Sequence, residues 1–134
     1  MHAFLAYETI PLYLAFVGTL SALIVGFSAI YSTITPFNEI SLIRRGNRAA
    51  ALSFAGTKIG IALPLAVLAT RTSDITVLAM WGAVALVMQL VAYGVAALVL
   101  RDVKSRMESD TVSYGIAIGG FSIAIGLINA GSLT

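Results

Sequence analysis

The sequence predicts an all-α membrane protein. It reads as four transmembrane helices forming two helical hairpins that repeat in parallel, with a short amphipathic helix in the first loop. Three observations lead there. Of 134 residues, 59% are hydrophobic and 10% charged, with a mean hydropathy of +0.97, whereas a soluble domain is usually about a quarter charged. Four stretches are nearly free of charge: 10–34, 49–70 (which holds only Lys58), 75–100 and 111–134. Each is long enough to cross a hydrocarbon core of roughly 30 Å, which takes about 20 helical residues. Their apolar runs are continuous rather than alternating, which excludes barrel strands and leaves helices, the other fold that satisfies every backbone group in lipid.

The chain opens with MHAFLAYET, which has no basic n-region and no small-residue cleavage site after a short apolar core. The first helix is therefore expected to be retained and not cleaved as a signal peptide. Gly18, Ala22 and Gly26 recur in it at the four-residue spacing that allows close helix approach.

The first loop, ITPFNEISLIRRGN, has internal order. Thr35 can cap a helix, Pro36 suits its first turn and Gly46 suits its end. Phe37, Ile40 and Ile43 would share one face with Arg44 and Arg45 beside them, as in an interfacial helix near anionic headgroups. The alternative is an ordinary polar loop carrying a topogenic charge cluster.

Six of the eight Lys and Arg lie in two loops: Arg44, Arg45 and Arg48, then Arg101, Lys104 and Arg106. The middle connection holds only Arg71. The positive-inside rule then puts both basic loops in the cytoplasm and both termini outside. A net charge of +2 and a pI near 9.2 do not point to nucleic acid, because neither loop forms a continuous basic face with stacking aromatics. The expected partners are anionic lipid headgroups of the bilayer, a peripheral cytoplasmic membrane protein and further copies of the chain.

Gly18 and Gly82 open comparable apolar stretches, and Gly56 and Gly119 sit at matching places in the second and fourth helices. The unit is two helices and a basic loop, used twice (about 10–70 and 75–134) within one membrane domain. A two-helix unit returns the chain to its starting side, so the copies are parallel, unlike those of inverted-repeat transporters.

The segment YSTITPFNEISLIRRGNRAAALSFAGTKIGIALPLA, with WGAVALVMQL and GIAIGGFSIAIGLINAGS, resembles the YjfL-type bacterial inner-membrane family. The resemblance runs from about Gly18 onward and is most specific at Thr35–Glu39, Ala49–Gly56, Gly60 with Pro64–Leu65, Trp81–Gly82 with Gln89, and Asn129–Ala130. It departs at Lys58, where an apolar residue is expected, and at Arg48, where a small polar one is. The resemblance implies a repeated two-helix domain in the inner membrane and carries no assigned reaction.

Lys58 stands nine residues past Ala49, about 13–14 Å along a helix and close to mid-bilayer. A charge there is costly, and no carboxylate lies within any span. Its candidate neighbours are Gln89, Asn129, Ser53, Thr57, Ser122 or freed carbonyls. Snorkelling toward the basic loop is the alternative, because side chains lean toward their helix N-terminus.

Gly56, Gly60 and Pro64 form one stripe of the same helix, and Gly115, Gly119, Ser122, Gly126 and Asn129 a comparable stripe of the fourth. Pro64 cannot donate to the Gly60 carbonyl, which frees an acceptor in the membrane. The stripes read as tight packing with Asn129 satisfying a neighbour, or else as part of a polar cavity. Lys58 lies nearly opposite the glycine stripe and is expected to face lipid or another subunit. In the third helix Gly82, Ala85, Gln89, Ala92 or Tyr93, and Ala96 share a side, with Gln89 expected to bond across helices and Trp81 to join the aromatic belt.

No enzyme can be assembled from these residues. The single histidine is His2, there are no cysteines, and no serine–histidine pair, membrane carboxylate pair, HExxH, phosphate loop or metal-ligand spacing is present. No cofactor or metal is expected. The sequence favours a non-catalytic, oligomeric membrane component acting through its basic loops. The alternative is a small oligomeric transporter or channel with Lys58, Gln89, Asn129 and the Gly60 carbonyl along one path.

Overall fold

The computed structural model describes residues 10–134; His2 and the MHAFLAYET segment lie outside them. Six helices follow in order: α1 (Ile10–Ile34), α2 (Glu39–Arg44), α3 (Arg48–Arg71), α4 (Ile75–Leu100), α5 (Val103–Glu108) and α6 (Val112–Ser132). The four long ones are each long and apolar enough to cross a membrane, and the protein is an all-α membrane protein.

α3 is the central element and packs most closely on α6. The two run parallel, since Ala49 meets Gly115, Gly56 meets Gly119, and Gly60 meets Ser122 and Gly126 in succession. Glycine is required along this seam because a Cβ at Gly56, Gly60, Gly115, Gly119 or Gly126 runs into backbone of the facing helix. In lipid no hydrophobic force drives helices together, so this backbone proximity, with its dispersion and bonding gains, holds the pair. α4 closes the third side with Leu78, Gly82, Ala85, Gln89, Ala92, Tyr93 and Ala96 turned inward.

α1 differs. Only Phe27 and Tyr31 in its last third are buried, and its first half leaves large apolar side chains such as Tyr13, Leu14 and Val17 exposed. Gly18, Ala22 and Gly26 do not pack within the chain: Gly18 and Ala22 are exposed, and the space above Gly18 and Gly26 is open. The four-residue spacing alone did not find a seam, because α1 has no partner close enough to need one.

Both basic connections contain a helix, not only the first. α2 is capped by Asn38, whose side chain accepts from Ser41 N. Thr35 does not cap it. Its hydroxyl donates back to the Tyr31 carbonyl at 3.0 Å, which makes it the last turn of α1 and leaves Pro36 outside α2. The buried face of α2 is Glu39 and Leu42, with Ile40 half exposed, so the apolar face read from Phe37, Ile40 and Ile43 is rotated. α2 ends at Gly46, φ +84, where Gly46 N and Asn47 N donate to Ile43 O and Leu42 O, a Schellman closure. α5 ends the same way at Asp110, φ 55, with Asp110 N and Thr111 N donating to Met107 O and Arg106 O.

The two connections are pinned to each other. Asn47 Nδ2 donates to Met107 O at 2.7 Å, and Asp110 Oδ1 accepts from Ala49 N at 2.8 Å. The first turn of α3 is thus capped twice, by Asn47 through Ala50 N and by a carboxylate from the other connection. Orphan helix amides and the helix dipole both favour that carboxylate.

Candidate functional site

Two polar clusters lie on opposite faces of α3. Lys58 and Gly60 are two residues apart, which turns them about 200° around the axis.

The first cluster answers the carbonyl that Pro64 frees. Gln89, 1% exposed, reaches across from α4 and donates through Nε2 to Gly60 O and to Ser122 O, both at 3.1 Å. One side-chain amide thereby ties α4 to α3 and α6 at the place where those two helices touch. Asn129 does not take this role: it is half-buried and its Nδ2 finds no partner. Ser122 is buried but contributes its backbone carbonyl here. Gln89 Oε1 also lacks a partner. This cluster is helix-joining chemistry, closed off from the surface.

The second cluster surrounds Lys58. Its Nζ lies 4.3 Å from the Phe54 ring centre, 5.4 Å from Phe27 and 5.5 Å from Tyr31, distances at which ring quadrupoles attract a cation. Phe27 and Tyr31 are tilted against each other at 5.5 Å, and Tyr93 meets Tyr31 edge-on at 5.2 Å, which fixes the rings. The side chain leans toward the basic connections and shares a groove with Asn38, Glu39 and Ile40. Lys58 therefore faces α1 and α2, and its neighbours are aromatic rings and a carboxylate, not Gln89 or Asn129. The path proposed from Lys58 through Gln89 and Asn129 is not assembled within the chain.

Glu39 is the residue that sequence reasoning missed. It lies outside every span, yet α2 folds it inward until it is 7% exposed, with Oε1 unpartnered. The hydroxyls of Tyr31 and Ser53, both buried, are neighbours without a well-formed hydrogen bond to either. The available signal was Asn38: as the helix cap it places Glu39 in the first turn, turned toward α1 and α3.

Burial pushes the Glu39 carboxyl up from its ordinary 4.5 to about 7, with Lys58 drawing it partway back. A folded value above the unfolded one means Glu39 favours the fold most below pH about 4.5, and this contribution is lost as pH rises through about 7. The difference corresponds to about 3 kcal/mol. The apparent melting temperature in detergent is expected to fall across that window, and Glu39→Gln to flatten the slope. An unchanged slope in the variant would remove Glu39 as its source.

Arg44, Arg45, Arg48, Arg101, Lys104 and Arg106 are all exposed. Arg45 bonds Ser41 Oγ at 2.8 Å, Lys104 approaches Glu108 at 4.0 Å, and the Arg106 guanidinium lies 5.7 Å from the Tyr114 ring centre. These are local tethers that leave the charges facing outward. Between α2 and α5 an open hollow lined by Pro36, Phe37, Arg45, Lys104 and Glu108 joins the two groups.

Four apolar spans, a seam of bare backbone and a buried glutamine that ties three helices together define a small multi-pass α-helical membrane protein. Residues 4–133 match the family described as Domain of Unknown Function (DUF350). The chain is 34% identical over 119 residues to the UPF0719 inner membrane protein YjfL of Escherichia coli K12, covering 89% of each chain, and equally so to that of Escherichia coli O157:H7. The chain belongs to this family. No solved structure matches. With the four spans, the relatives support a multi-pass location in the inner membrane.

Proposed function

We propose that the protein is a non-catalytic, self-associating inner-membrane component that presents one cationic platform to lipid headgroups or a peripheral protein at the cytoplasmic face, with both termini outside. The observation that carries this reading is the cross-pinning of the two basic connections through Asn47–Met107 and Ala49–Asp110. It turns two separate charge clusters into a single rigid surface bearing six exposed cations. Juxtamembrane Lys and Arg are each worth about 1 kcal/mol near an anionic leaflet. The packed Gln89 cluster supports the same reading, since its polar groups are committed to holding helices together. The unpacked Gly18–Ala22 face of α1 is where a second copy would approach.

The absence of cysteine from the chain makes the test direct. Single cysteines at Arg45 and Lys104 are expected to react with an impermeant maleimide only when the cytoplasmic face is opened, and a cysteine at Ser73 from the outside. In nanodiscs the melting temperature should rise with phosphatidylglycerol content at low salt. Replacing all six basic residues with Ser should abolish that rise, because exposed charges act only within a Debye length. Labelling of position 45 from outside, or a rise that survives the replacement, would refute the platform.

A further inference from the structure

We propose that the groove between α1, α2 and α3 is a binding site for a phospholipid headgroup carrying both a phosphate and a primary amine, with Lys58 holding the phosphate and Glu39 the amine. The groove measures about 300 Å³. Its two ends differ in charge above pH about 7: Lys58 Nζ at one and the buried carboxylate of Glu39 at the other. No ion pair within 4.0 Å joins them among the described residues, so each charge remains available to a third group. Glu39 Oε1 is more than nine-tenths buried and unpartnered, which is costly unless something donates to it. A primary ammonium supplies that donor, and a phosphate supplies the acceptor that Lys58 lacks.

Position and lining argue for a lipid over a soluble amine. Val25, Ala29 and Phe54 form the wall that continues into the membrane, while Asn38 and Glu39 lie at the level of the basic connections. A phospholipid crosses that boundary in the same order, with its chains along α1 and its headgroup at α2. The rings of Phe54, Phe27 and Tyr31 surround Lys58 Nζ, and Lys58 and Phe54 both line the groove. A trimethylammonium headgroup has no hydrogen to give Glu39, and a glycerol headgroup has no positive charge, so the site discriminates both. This site is separate from the cationic platform and does not depend on it.

The experiment is native mass spectrometry of the full-length, detergent-purified chain titrated with phosphatidylethanolamine, phosphatidylcholine and phosphatidylglycerol of identical acyl chains. Phosphatidylethanolamine is expected to be retained roughly tenfold better than phosphatidylcholine by the native chain, and than phosphatidylglycerol by the variant with all six loop cations replaced by Ser, which offers an anionic lipid no platform; tenfold is the worth of one charge-assisted hydrogen bond. Lys58→Met and Glu39→Gln should each remove the preference, while the variant with all six loop cations replaced by Ser keeps it. Circular dichroism and gel filtration identify variants that fold, and Glu39→Gln, nearly isosteric, serves if Lys58→Met does not. Equal retention of the three lipids, or a preference unchanged in a folded Glu39→Gln protein, overturns the proposal. So does displacement of the lipid by equimolar free phosphoethanolamine, which would make the occupant a soluble solute.

Discussion

Leucine at position 56 is expected to separate α3 from α6 and leave little folded protein. A Cβ at Gly56 already lands on the backbone of Gly119, and backbone cannot rotate aside as a side chain can. Overpacking a well-packed core costs about 1–3 kcal/mol where side chains yield; against a facing helix the cost should exceed that range. Gly18→Leu is the matched control, because nothing stands within 4 Å of its Cβ position. Yield of monodisperse protein and melting temperature should collapse for Gly56→Leu and hardly change for Gly18→Leu. Equal behaviour of the two variants would mean that the α3–α6 seam is not what holds the bundle.

Gln89→Leu is the second large effect. The substitution keeps bulk at a site that is 1% exposed but removes both bonds, to Gly60 O and Ser122 O. Interhelical bonds in membranes are worth about 0.6–2 kcal/mol each, so a loss of about 1–3 kcal/mol is expected. The Gly60 carbonyl lacks a helical donor only because residue 64 is proline. In a Pro64→Ala background the backbone amide returns, and Gln89→Leu should cost measurably less. A double-mutant cycle on thermal or steric-trap unfolding reads this coupling. Strict additivity would show that Gln89 is retained for some other reason.

The parts legible in the sequence were those whose cause is local. Small residues every fourth position in two helices, and a proline that strips one named carbonyl of its donor, are facts of spacing and covalent chemistry, and they led to the α3–α6 seam. From the sequence Gln89 is expected only to bond across helices, with Asn129 satisfying a neighbour, whereas it is Gln89 that meets the freed carbonyl. The same spacing at Gly18, Ala22 and Gly26 led nowhere within the chain, because spacing states what a helix permits and not what stands beside it. The loop helices were harder. Thr35 and Asn38 can each cap, and the choice falls to Asn38 because Thr35 is drawn back onto Tyr31 O. α5 is six residues long, too short for periodicity to register, and it is held by the burial of Val103 and Met107. Lys58 was conspicuous as a lone charge, but its surroundings were not. Its carboxylate neighbour comes from outside the span, brought inward by a turn of chain whose direction no run of hydropathy records.

The carboxylate that closes the start of α3 is made 61 residues after the amide it receives. While the polypeptide emerges, α3 enters the bilayer with that amide unanswered, flanked by an α1 that covers little of it. The glycine face of α3 also waits, because α6 is synthesised after it. The packing of α3 is therefore provisional until α6 is delivered, and biogenesis, not only the finished fold, depends on the two hairpins arriving together.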